Sequence, residues 1–136
     1  MKATASDLIA LRRQALDLFR GGVSASDPEK AVSEALEQRR YMIDAARRVC
    51  EACRDRFGIV MGRVHEKPVG PHPDWSCQLV VPHDKLADVM RWLMLNRDGL
   101  VVLVHPETGD ALKDHTAHAV WMGAVRPLDL SIFRKE

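Results

Sequence analysis

Apolar residues in the first part of the chain recur at helical spacing. Leu8, Leu11, Ala15 and Leu18 fall three or four apart, with Arg12, Arg13 and Asp17 on the opposite face. Gly21-Gly22 ends this pattern, because glycine enters the left-handed conformation that closes a helix without steric cost. Asp27-Pro28 then reads as a helix start, a side-chain acceptor at the cap followed by proline in the first turn. The next stripe runs through Val32, Ala35 and Leu36, then Ile43, Ala46, Val49, Cys50 and Cys53. Arg39 and Arg40 interrupt it, which leaves open two helices in slightly different registers between 28 and 57. Gly58 is the expected stop.

Beyond Gly58 the pattern changes. Ile59 to His65 and Cys77 to Val81 read as strands, separated by the loop Lys67-Pro68-Val69-Gly70-Pro71-His72-Pro73. Leu86, Val89, Met90, Leu93 and Met94 predict a compact amphipathic helix that stops at Gly99. Leu100 to His105 suits a central strand, ended by the turn Pro106-Glu107-Thr108-Gly109, and Ala119 to Met122 suits a last strand. Helix, strand, strand, helix, strand, strand is the order of an α+β fold with helices packed on one face of a sheet.

Composition narrows the function classes. With 136 residues the chain has room for one domain with a real core. Twenty Lys and Arg against 19 Asp and Glu give a net charge of +1, which argues against nucleic-acid binding. No apolar run approaches the ~18–20 residues that span a bilayer. No charged segment followed by an apolar one opens the chain, and three cysteines cannot all pair, so a reducing cytoplasm is the expected setting.

The unusual feature is six histidines, all between positions 65 and 118. His72, His105, His115 and His118 are the candidates for a metal site, since each lies in or beside an expected loop or strand end. His72 is fixed between Pro71 and Pro73. His115 and His118 are three apart, so both face one ion on a helical turn and only one does on a strand. Asp110, Asp114, Glu66 and Glu107 are the nearby carboxylates, able either to complete a two-histidine, one-carboxylate Fe(II) centre or to fix the tautomer of a ligating histidine, as Asp114 would for His115. Helix capping accounts for His83, and His65 with Glu66 reads as surface or as support for a site. Cys50 and Cys53 form a C-x-x-C late in a helix, away from the N-terminal dipole that activates a thiolate and without a second such pair for zinc. They read as small core residues.

Three blocks carry a family resemblance. Gly62-Arg63-Val64-His65-Glu66-Lys67-Pro68-Val69-Gly70-Pro71-His72-Pro73 resembles the G-R-x-H-x-x-P-V-G-P-H-P signature of the DOPA 4,5-dioxygenase family. Trp92 to Leu100 with Val104-His105-Pro106-Glu107-Thr108-Gly109-Asp110 resembles the second block. Asp114-His115-Thr116-Ala117-His118-Ala119-Val120-Trp121-Met122-Gly123, ending in Pro127-Leu128-Asp129-Leu130-Ser131, resembles the third. The likeness covers roughly residues 40 to 133.

The resemblance implies a ferredoxin-like antiparallel sheet with helices on one face, here preceded by a helical N-terminal extension over 1–38, with the family domain at 39–136. It also implies a homodimer and a metal-dependent extradiol opening of a catechol such as DOPA by O2, with Fe(II) as the metal and zinc or another divalent ion as a stand-in. Under it His72, His105 and His118 are the metal ligands, and His72, His115 and His118 the catalytic histidines. Arg63 and Arg97 become anchors for a substrate carboxylate, which guanidinium grips through two parallel hydrogen bonds. Family members usually open with an H-x-H-x-Y-F-like strand, and no histidine stands before His65 here. The alternative is a catalytically impaired relic whose helical extension serves as an interaction arm.

Overall fold

The structure, a computed structural model, describes residues 27–134. The expected helix through Leu8 and Leu18, with its Gly21-Gly22 stop, lies outside the described residues. The chain divides into two compact units, Met1–Met42 and Ile43–Glu136, with the boundary inside the first described helix.

That helix, α1, runs from Pro28 to Phe57. It starts where the cap signal stands: Asp27 Oδ1 accepts from the backbone N–H groups of Glu29 (3.1 Å) and Lys30 (3.2 Å). Arg39 and Arg40 do not divide it. Arginine is a good helix former, neither Gly nor Pro stands between Lys30 and Phe57, and one continuous helix results. No described residue of the first unit is buried. In the second unit the inward face of α1 is Ile43, Ala45, Ala46, Cys50 and Cys53. Gly58, at φ +60°, ends the helix by donating its N–H to the Arg54 carbonyl at 2.8 Å.

The remaining elements follow the expected order with ends trimmed by one or two residues: β1 (Val60–His65), β2 (Ser76–Val80), a 3-10 turn (His83–Lys85), α2 (Leu86–Asn96), β3 (Val102–Val104), α3 (Ala111–Asp114), β4 (Val120–Met122) and a final 3-10 turn (Leu130–Phe133). The mixed helix-and-antiparallel-sheet class is the one expected. The strands pair as two ladders, β1 with β2 and β3 with β4, where a single sheet was expected. Each ladder joins neighbours in sequence, the easiest antiparallel pairing, and among the described residues no strand bridges the two.

One irregularity escaped the sequence pattern. Met61 pairs with Leu79 and Val64 with Cys77, so β1 carries one residue more than its partner between these pairs. The extra residue makes a bulge at Gly62-Arg63. Glycine suits the close approach there, since a Cβ on Gly62 would stand 3.3 Å from the Gln78 Cβ and push that side chain aside by a few tenths of an ångström. The bulge breaks strict alternation and leaves Gly62 and Arg63 both exposed.

The core is built from both helices and both ladders of the second unit. Cys53, Ile59, Val89, Leu93 and Met122 form its buried centre, with Phe57, Leu79, Trp92, Val102 and Val104 packed against it. Phe57 and Trp92 meet edge to face with ring centroids 6.2 Å apart. These layers fix the strand ends from which the histidine-bearing loops emerge.

Candidate active site

Three loops bring histidines together. His72 sits in the loop after β1, between the buried Pro71 and Pro73, and its N–H reaches the Val69 carbonyl at 3.3 Å. His105 follows directly on β3, where the strand delivers it to the same place. His115 ends α3, a single turn set by Asp110, whose side chain accepts from the Lys113 N–H at 3.1 Å. The His105 and His115 rings lie 4.3 Å apart between centroids, and the His72 and His115 rings 5.9 Å. Phe133, from the final 3-10 turn, covers the other side of His115 at 4.8 Å.

Hydrogen bonding sets the tautomers. His105 Nδ1 is 2.8 Å from the Pro106 carbonyl and His115 Nδ1 is 2.8 Å from the Ala111 carbonyl. A carbonyl only accepts, so each Nδ1 carries the proton and donates it. That leaves Nε2 of both rings as a basic lone pair. His72 is half-buried, and desolvation, reinforced by the neighbouring His115 and His105, lowers its pKa below the ordinary histidine value. It is therefore neutral at pH 7.

His118 goes elsewhere. Its Nδ1 donates to Asp114 Oδ1 at 3.0 Å. Asp114 is the buried carboxylate of the second unit, 3% exposed, and also accepts from the Thr108 N–H (2.8 Å) and hydroxyl (2.7 Å). The hydrogen bond from His118 and then those from Thr108 outweigh desolvation and pull its pKa down to about 2. So Asp114 orients His118, not His115, whose Nδ1 is taken by the Ala111 carbonyl. His115 and His118, expected to face one ion from a helical turn, are turned to different partners. The imidazoles grouped by ring contact are His72, His105 and His115, whereas the ligand set implied by resemblance has His118 in the last place.

The other candidates distribute as follows. Arg63 is exposed on the β1 bulge. Arg97 is half-buried and donates one guanidinium nitrogen to the Leu100 carbonyl at 2.6 Å, so it closes the turn between α2 and β3. His83 does not cap α2: it opens the 3-10 turn, whose cap position is Pro82, with no side-chain bond. Glu66 lies 4.0 Å from Arg47. Cys50 and Cys53 are buried, as expected of core residues, and the thiol that Cys50 meets is Cys77 of β2, not its C-x-x-C partner.

Does this donor set suit a divalent metal? Three imidazoles, two with Nε2 free by tautomer, have the right donor chemistry for iron or zinc. The nearby carboxylates are already engaged, Asp110 by Lys113, Asp114 by His118 and Thr108, and Asp74 by Arg126. Among the described residues no three His, Cys, Asp or Glu side chains stand in the arrangement of a formed metal site. Beside His115, a cavity of about 580 Å³ is lined by Gly109, Asp110, Ala111, Leu112, Ile132 and Phe133. Its walls are mixed polar and apolar, and Phe133 is shared between cavity and histidines. Sequence reasoning missed Phe133. The available signal was Asp129-Leu130-Ser131, an aspartate two residues before a serine, which folds as a turn with Asp129 accepting from the Ser131 N–H (3.1 Å) and hydroxyl (2.6 Å).

Comparison with known proteins identifies the family. The family model described as the Dopa 4,5-dioxygenase family matches residues 36–132. A DOPA 4,5-dioxygenase of Amanita muscaria is 42% identical over 73 residues, which cover 54% of this chain and 32% of that protein. An uncharacterised 21.2 kDa protein of Botryotinia fuckeliana is 38% identical over 100 residues, covering 66% of this chain and 54% of the relative. The chain thus matches about a third and about half of the length of these two relatives. The crystal structure of a candidate dioxygenase from Nostoc punctiforme superposes with a TM-score of 0.57 at 42% identity, covering 65% of this chain and 80% of that one. With the match running through all three histidine-bearing loops and the strands that carry them, the chain belongs to the Dopa 4,5-dioxygenase family.

Proposed function

We propose that this chain carries out a metal-dependent extradiol opening of a catechol such as DOPA, with O2 as co-substrate and Fe(II) as the metal. The observation that carries the reading is the meeting of His72, His105 and His115 from three separate loops, with Phe133 shared between them and a neighbouring depression. In this reaction both oxygen atoms enter the product and one ring C–C bond beside the hydroxyls breaks, so no external reductant is consumed. A divalent metal held by the histidines would supply Lewis-acid chemistry and a place for the two substrates to meet.

The chain's own residues do the rest. His72, His105 and His115 would hold the ion, the last two offering Nε2 because their Nδ1–H groups are tied to carbonyls. The lowered pKa of His72 keeps it deprotonated and able to ligate at neutral pH. His118, whose Nδ1–H is held by Asp114 and whose Nε2 is left as an acceptor, is the residue proposed to take up a catechol proton. Leu112, Ile132 and Phe133 offer an apolar surface against which the aromatic body would lie.

Protein loaded with Fe(II) without air, then mixed with DOPA and air, should consume one O2 per catechol and turn yellow. No uptake above a control lacking protein would overturn the reading. A second reading, an impaired relic that keeps the fold, is favoured by one observation: the absence, among the described residues, of a formed three-ligand arrangement. It predicts no oxygen uptake and no metal retained after dialysis.

A further inference from the structure

The last described segment does more than end the chain. Arg126 grips Asp74 with two nitrogens, Nε to Oδ2 at 2.7 Å and Nη2 to Oδ1 at 3.1 Å. This is the two-pronged geometry that fixes orientation as well as distance. The pair is partly shielded, with side chains 38% and 27% exposed. Three residues further on, the Asp129 N–H donates to the Pro71 carbonyl at 2.8 Å. The two contacts seize the His72 loop on either side of the histidine, one residue before it and two after. The same segment then turns through Leu130–Phe133 and lays Phe133 on His115. One stretch of chain therefore touches two of the three histidine loops.

We propose that residues 126–133 act as a strap that sets the His72 ring against His115, with Arg126 and Asp74 as positioning residues for the reaction proposed above. No regular element holds the His72 loop from within. It spans the ten residues between β1 and β2, and its one internal backbone bond at His72 is the 3.3 Å contact to Val69. The strap supplies what the loop lacks. Its catalytic consequence rests on the proposed function; its effect on the geometry does not.

The test uses the full chain with Asp74→Asn and Arg126→Gln. The first is nearly isosteric, so it carries the test even where the second lowers stability. In NMR spectra with labelled histidines, each variant should lose the ring-to-ring proton contact between His72 and His115 while keeping that between His105 and His115. Both contacts surviving would overturn the strap, and so would loss of both together with the thermal transition, which would make the pair a general fold contact. On DOPA, kcat should fall roughly 10- to 100-fold, the scale of a misplaced catalytic group, with KM within about twofold. The double variant should be no worse than the poorer single one. Arg126→Lys should restore little, since an ammonium lacks the planar fork. If the unaltered protein shows no turnover, the functional reading fails, and the proton contacts still decide the strap.

Discussion

The second unit holds two clusters of side chains that bind metals in other proteins, and they are opposites. Cys50, Cys53 and Cys77 stand where α1 meets β2. Cys53 is fully buried, and its pKa is raised by burial. Cys50 is raised far further, first by its hydrogen bond with Cys77 and then by desolvation. Those two thiols stay protonated and behave as small apolar side chains. His72, His105 and His115 sit on loops at strand and helix ends, half-buried, and the last two have Nδ1–H tied to a carbonyl and Nε2 left as an open lone pair. Burial silences a thiol, because its charged form is the reactive one. An imidazole is reactive when neutral, and partial burial of His72 favours that form. The contrast is the reason the proposal rests on the histidines and not on the C-x-x-C.

Substitutions break this contrast from either side. His105→Ala should have the largest effect, lowering metal affinity more than the 10- to 100-fold that loss of an outer partner costs, with the fold kept; metal analysis after dialysis and circular dichroism check it. Asp114→Asn weakens the group that orients His118, so activity should fall by roughly 10- to 100-fold, the scale of a misplaced catalytic group. Its stability effect has a sign in pH. The folded-state pKa of about 2 lies below the usual carboxylate value, so the stabilisation is present at neutral pH and lost as pH falls through that interval. The stability gap between native protein and Asp114→Asn, measured by urea unfolding, should therefore narrow from about pH 4 downward.

On the thiol side the expected losses concern folding alone. Cys53→Ser places a hydroxyl in the core and should cost about 1–3 kcal/mol of stability while leaving metal content and turnover unchanged. Phe133→Ala removes the ring on His115 and a cavity wall, so KM for DOPA should rise roughly two- to tenfold, the scale of one aromatic contact. The smallest effect is an order of labelling. Cys77 is half-buried and its pKa is lowered, first by the Cys50 hydrogen bond, so a thiol-specific reagent should reach it before Cys50 or Cys53. Mass mapping of the labelled peptides reads that order.

Much of the fold was legible because local signals and tertiary packing agree. Asp27-Pro28 and Gly58 bounded α1, and Leu86 to Met94 gave α2 its face, since caps and helical spacing act within a few residues. Arg39-Arg40 misled because a break in an apolar stripe is not a break in backbone propensity. The bulge at Gly62-Arg63 and the two-ladder pairing depend on cross-strand register, which no local pattern encodes. For the site, chemistry was legible and wiring was not. His72, His105, His115 and His118 stood out by residue type and by turn context. The exchange of Asp114 between His115 and His118, the engagement of Arg97 by Leu100, and the Asp74–Arg126 grip all depend on where side chains end in space.

X-ray absorption at the zinc edge of protein loaded with one equivalent of Zn(II) tests most directly which cluster takes the metal. The histidine assignment predicts a nitrogen shell at ~2.0–2.1 Å with imidazole scattering beyond it and no sulfur at ~2.3 Å. A sulfur shell, or zinc bound with no imidazole signature, would contradict it.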